Sequence, residues 1–230
     1  NMLALATSHG VEPRLARLDD VATTPGEIIT YDSDEKMSYT PVGWESWDDL
    51  MAWQPPADFA SSCDALHVIV EGGGGGEVDA ALNALAAAPS LQLSAEPVMQ
   101  EVTPAALDGL RRLTRRTKLV SPDLPTAWAL DQVVQGRAAS LRPADVDTDT
   151  LAAARADAAS LADRCFAALA MPDDAVLSIR DGARGSLLYG DGLFSRVPAV
   201  ELDAVADPTG AGNAFAGALA AGFVEQRARA

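Results

Sequence analysis

Four consecutive residues near the end of the chain, Gly210-Ala211-Gly212-Asn213, have types and spacing that can hold a phosphate. Gly210 and Gly212 let the backbone turn tightly with no Cβ in the way. Small residues follow and read as the start of a helix over 212–226. Several N–H groups then point at one spot beside the positive end of a helix dipole. That is an anion hole suited to a transferring phosphoryl group. The side chain next in line is the amide of Asn213, which can orient a hydroxyl but has no accessible basic form to take its proton. An ordinary glycine turn ahead of a core helix fits the same residues, and a bare Gly-Ala-Gly does not separate the two.

The rest of the chain offers little competing chemistry. Gly72 to Gly76 is a run of five glycines after an apolar stretch; it lacks the fixed spacing of a phosphate loop and reads as a flexible loop, placed where α/β proteins bind ligands. Cys63 and Cys165 are far apart, and neither pairs with His9 or His67 at a zinc-ligand spacing. Two buried, reduced thiols are expected, which favours a reducing interior such as cytosol or an organelle. His67 lies in an apolar run and reads as a satisfied core residue. The formal net charge of −16, from 33 acidic and 17 basic residues, repels nucleic acid and anionic membranes. Any phosphate site must build its own positive field against it. No segment has the length to span a membrane. The start lacks the basic region of a signal peptide, and a first residue of Asn rather than Met suggests a fragment or trimmed chain.

The elements that must position the glycine turn follow from the apolar pattern. Ile28–Tyr31 and Met37–Thr40 flank a polar Asp32-Ser33-Asp34-Glu35 turn and predict a hairpin. Trp44, Trp47 and Trp53 follow, with burial a stronger reading than sugar stacking. Ala65–Val70 predicts a strand buried on both faces, and Ala80–Ala88 a helix. Leu91–Ala95 is a second strand. Thr103 caps a helix that Pro104 opens, and Lys118–Val120 is a short third strand. A helix opened by Pro125 closes at Gly136. Thr148–Ala170 reads as one long helix and Val176–Ile179 as a fourth strand. Ser186–Tyr189 and Phe194–Val197 flank Gly190-Asp191-Gly192 as a second hairpin. Strands alternating with helices imply right-handed crossovers and a mainly parallel sheet with helices on both faces. The early hairpin does not join that rhythm and reads as a small separate β lid. The expected division is 1–62 for the lid and its connection and 63–230 for the α/β core.

Beyond the four residues, Asp207-Pro208-Thr209-Gly210-Ala211-Gly212-Asn213-Ala214-Phe215-Ala216-Gly217-Ala218-Leu219 resembles the C-terminal signature of the PfkB/ribokinase family of carbohydrate kinases. Every position matches except the last acid of the motif, which is Asn213 here. Gly182-Ala183-Arg184-Gly185 before Ser186-Leu187-Leu188-Tyr189 resembles a second family element. His9-Gly10-Val11 resembles the approach to the family's lid. Glu96-Pro97-Val98, Ser121-Pro122-Asp123 and Arg180-Asp181-Gly182 look like a divergent branch of the family that includes the fungal maintenance-of-killer protein. The resemblance implies a ribokinase-like fold, ATP with Mg as cofactors, and a sugar or nucleoside hydroxyl as acceptor. It implies that Asn213 occupies the position of the general base and that Gly210, Ala211 and Gly212 form the anion hole. It assigns Asp207, Thr209, Arg180, Gly182 and Gly185 to the nucleotide side. A family Asn-x-x-Glu element aligns with Asp123 to Thr126; there Asp123 either holds a magnesium-bound water or, the reading placed ahead, caps a helix. The family's N-terminal sugar-gripping region and the end of its adenine pocket are missing from these residues. The expectation is therefore a catalytically impaired kinase-like protein that keeps its phosphate site. An active sugar or nucleoside kinase is the first alternative. A structural subunit, paired through the lid or held in a larger complex, is the second.

Overall fold

The computed structural model describes residues 2–11, 26–31, 37–42, 60–72, 76–202, 205 and 210–229. The expected roles of Trp44, Trp47, Trp53, Asp207 and Thr209, the 32–35 turn and the middle of the glycine run lie outside the described residues. The chain divides into two compact units, Asn1–Pro56 and Ala57–Ala230. In the first, helix α1 (Met2–Ser8) precedes the antiparallel pair β1 (Gly26–Tyr31) and β2 (Met37–Val42), with Tyr31 opposite Met37.

The second unit is built on a sheet of six strands in the order β3 (Ala65–Val70), β4 (Gln92–Pro97), β5 (Leu119–Val120), β6 (Val176–Arg180), β7 (Ser186–Gly190) and β8 (Leu193–Val197). The first four run parallel, and the last two form an antiparallel hairpin on β6. Between β3 and β4 lies α2 (Gly76–Ala87), and between β4 and β5 lies α3 (Pro104–Thr114). The β5-to-β6 crossover carries α4 (Leu124–Val134), α5 (Thr148–Ala156) and α6 (Ala158–Ala168). Helix α7 (Ala211–Arg229) follows β8.

Because the parallel strands are added in one direction, right-handed crossovers put α2 to α6 on the same face. The residues on that face form one apolar core: Val70, Leu93, Ala95, Val120, Leu177, Ile179 and Leu187, with Leu110, Leu130 and Leu161 from the helices. Helix α7 packs against β3 and β4 from the other side, where Ala216 is buried outside that core. Both faces thus carry helices, five on one and one on the other among the described residues.

Local chemistry sets the boundaries. Thr103 Oγ1 accepts from the Ala106 amide at 3.1 Å, with Pro104 opening α3. The expected 148–170 helix is broken in two at Asp157, whose backbone leaves the helical region at φ −103°, ψ 26°. Asp favours caps over helix interiors because its carboxylate competes for nearby partners; here it engages Ser160 and Arg164. The expectation for β3 is also corrected. Only one face of it meets the core, and Ile69 on the other is 45% exposed, because β3 is the edge of the described sheet.

Candidate functional site

The sheet's second face is polar where its first is apolar. Strand alternation puts Ser94 and Glu96 of β4, Ser178 and Arg180 of β6 and Ser186 of β7 on the side of α7. Ser121 joins them: its amide bonds to Ala95 O at 2.8 Å, and the β5–β6 pairing continues to a bridge between Asp123 and Arg180. Glu96, Ser121 and Ser178 therefore stand side by side on adjacent strands. All three are at most 2% exposed.

Arg180 reaches across β5 to Glu96, bonding Oε1 through Nη1. The other carboxylate oxygen faces His67 Nε2 at 3.4 Å, and His67 Nδ1 lies 2.8 Å from Ser94 Oγ. Burial pushes the Glu96 carboxyl up, but the hydrogen bond to His67 and the charge of Arg180 outweigh it and hold it below the ordinary carboxylate range. His67, read from sequence as a core residue, is instead a rim residue with a 29% exposed side chain. An apolar run conceals this, because every second residue of an edge strand faces away from the core.

Above this array starts α7. Gly210 sits at φ +81°, and Gly210 to Asn213 are exposed. The first helical bond within the described residues runs from Ala214 N to Gly210 O at 2.9 Å. The amides of Ala211, Gly212 and Asn213 thus precede it, as at any helix start. A Cβ on Gly212 would lie 3.1 Å from Arg180 Nη1, so the guanidinium rests against the first turn. A cation beside the positive end of a helix is unfavourable by about 0.3–1 kcal/mol. The Glu96 carboxylate balances the guanidinium, and the first turn of α7 carries no acidic side chain.

Three buried side-chain polar atoms among the described residues have no hydrogen-bond partner: Ser121 Oγ, Ser178 Oγ and Arg180 Nε. All three belong to this second face. Leaving a buried polar atom unpaired costs about 1–3 kcal/mol, and each can donate to an oxyanion. Ser121 is marked in the sequence only as part of Ser121-Pro122-Asp123, and nothing beyond strand alternation marks Ser178.

The remaining sequence-derived positions have structural work. Asp123 caps α4, its Oδ1 accepting from the Thr126 amide at 2.8 Å, as the preferred reading expected. Among the described residues no group of three or more His, Cys, Asp or Glu is placed to hold a metal ion. Gly182 opens a single 3-10 turn after β6. Gly185 has φ +93°, and a Cβ there would meet Val197 O at 2.0 Å, so only glycine lets β8 pass. Asp181, just before Gly182, receives three hydrogen bonds from Arg155 at 2.9–3.0 Å. Cys165 is fully buried, its Sγ 3.0 Å from Ala127 O, and burial pushes its thiol up, away from reactivity.

Comparison with known proteins places the fold. A model of the pfkB family carbohydrate kinases matches residues 75–229, more than half of the chain. No curated protein matches it. Among solved structures, ribokinase from Cryptococcus neoformans var. grubii serotype A in complex with ADP superposes with a TM-score of 0.71 at 21% identity, over 98% of this chain and 67% of that one. A putative ribokinase II from E. coli gives 0.65 at 16% identity, over 98% and 65%. The nucleoside kinase of Burkholderia thailandensis in complex with inosine gives 0.60 at 18% identity, over 95% and 60%. The chain spans about two-thirds or less of the length of these structures. No described helix is long and apolar enough to cross a membrane. The fold is ribokinase-like, and the chain belongs to the pfkB family of carbohydrate kinases.

Proposed function

We propose that this chain is a pfkB-type phosphate-binding protein with impaired phosphotransfer, the Gly210–Asn213 turn receiving the terminal phosphate of ATP. The observation that carries this reading is that a helix start, the Arg180 guanidinium with its unpartnered Nε, and the two unpartnered hydroxyls of Ser121 and Ser178 share one face. Such a set fits an oxyanion. Arg180 is its charged ligand, and Gly210, Ala211 and Gly212 its backbone donors. Asp207, Thr209, Gly182 and Gly185 complete the nucleotide side by resemblance, Gly182 and Gly185 by shaping the turn. A nucleotide is the partner this supports, with a sugar or nucleoside as acceptor; ADP and inosine are bound in two of the similar structures. Magnesium would arrive on the nucleotide rather than on Asp123, which is engaged as a cap.

Impairment rests on Asn213. Where the family signature carries an acid, the amide positions a hydroxyl without taking its proton. The loss of a general base removes about 10²–10⁴ in rate. The divergent branch that includes the maintenance-of-killer protein, the 1–62 and 63–230 division and pairing through the β lid belong to the same reading.

Calorimetry of the full chain with ATP, with and without Mg²⁺, tests the site; binding is expected, and Gly212→Val, which drives a side chain into Arg180, should abolish it. ATP consumption across a panel of sugars and nucleosides tests the impairment. Asn213→Asp should raise any rate by about 10²–10⁴. Equal rates in both forms would mean that the acid is not needed, as in an active kinase relying on positioning and charge. Absence of ATP binding would remove the phosphate site.

A further inference from the structure

The Glu96–His67 pair deepens this reading and rests on it. The Glu96 carboxylate divides its two oxygens between Arg180 and His67, and Arg180 lies against Gly212. With a neutral imidazole the Glu96–Arg180 pair sums to zero charge. With an imidazolium the array presents +1 to the space under α7. We propose that Glu96 and His67 are positioning residues that hold Arg180 at the phosphate cradle and that the proton on His67 sets the cradle's affinity for oxyanions.

The charged groups around the imidazole are few. Glu96 faces it from β4, with Arg180 of β6 behind. Residues 211–224 of α7 carry no charged side chain. Asp123, beside Arg180 at the end of β5, is occupied by the Thr126 amide. Glu71 follows β3, and Asp64 precedes it. Glu77 and Asp79 belong to α2 on the opposite face, engaged by Gly72 N and Arg112. Among the described residues Glu96 is thus the carboxylate in contact with the ring. Against the upward pull of burial, the hydrogen bond to His67 and the charge of Arg180 keep it ionised, and the imidazole is the other group of the array that can take up a proton. The hydroxyls of Ser121 and Ser178, at 2% and 0% exposure, lie on the same face and have no partner of their own.

The test uses sulfate, which stays a dianion from pH 5 to 8, the range in which His changes charge. Sulfate binding to the full chain, measured by calorimetry, should tighten at least about fivefold as pH falls through that range, the low end of a typical coupling between sites. His67→Gln should flatten the profile at the weaker, high-pH affinity, and His9→Gln should leave it intact. By reciprocity, saturating sulfate should raise the His67 titration midpoint, read by NMR, by the logarithm of the same factor. Glu96→Gln should also flatten the profile, whereas Ser121→Ala should weaken binding and keep the pH dependence. If Glu96→Gln fails to fold, the His67→Gln and NMR arms decide. A parallel profile in the unaltered chain and His67→Gln, or an unmoved midpoint, overturns the proposal while leaving the phosphate site standing. Failure of both ATP and sulfate to bind at any pH sinks the site and the proposal with it.

Discussion

The two faces of one sheet divide the labour of this protein. On one side Leu93, Ala95, Val120, Leu177 and Ile179 are buried against five helices. On the other, the residues that alternate with them, Ser94, Glu96, Ser121 and Ser178, are also buried but polar, Arg180 is half-buried, and three atoms of this set lack partners. Apolar atoms removed from water hold the fold, at roughly 25 cal/mol per Å². Unpaired polar atoms oppose it. The proposed oxyanion site uses the atoms that oppose the fold, and the alternation of a strand lets both faces be written in the same few residues.

Substitutions that hit one face at a time break or sharpen this contrast. Leu177→Ala on the apolar face should cost about 2–5 kcal/mol of stability, seen as a lower denaturation midpoint, with the anion affinity of the folded fraction unchanged. Ser178→Ala on the polar face should do the reverse. Deleting an unpartnered buried hydroxyl should raise stability by about 1–3 kcal/mol and weaken ATP binding by calorimetry. A loss of both together would show that the hydroxyl is structural. Thr103→Ala, a cap distant from the polar face, should cost about 1 kcal/mol in denaturant titrations without touching ligand affinity. The smallest effect is that of acid. Glu96 has a depressed carboxyl in the folded state, so its contribution is complete above the ordinary carboxylate value and is lost as pH falls through the folded value. Stability measured between pH 6 and 3 should fall less steeply in Glu96→Gln than in the unaltered chain.

Much of the scaffold was legible in order. Thr103 with Pro104, Asp123 ahead of Pro125, Gly136 after α4, and the Asp191-Gly192 turn all act where their local chemistry puts them, since caps and turns depend on few neighbours. The prediction of one 148–170 helix failed at Asp157, where the carboxylate takes hydrogen bonds from both Ser160 and Arg164 at the break. Predicting β3 as doubly buried failed because an apolar run carries no information on which strand sits at a sheet edge. The glycine turn was visible as a motif; the Glu96–Arg180 pair was not, because its partners are 84 residues apart.

From the sequence alone came the family signature, the substitution at Asn213, the element order and the acidic background against which any phosphate site must work. These are properties of adjacent residues and of sums over the chain. Only the tertiary structure decided that Ser121, Ser178 and Arg180 share a face, that Glu96 links Arg180 to His67, and that Gly212 rests on a guanidinium. Strand order and register set those neighbours, and both depend on long-range pairings that local spacing does not encode.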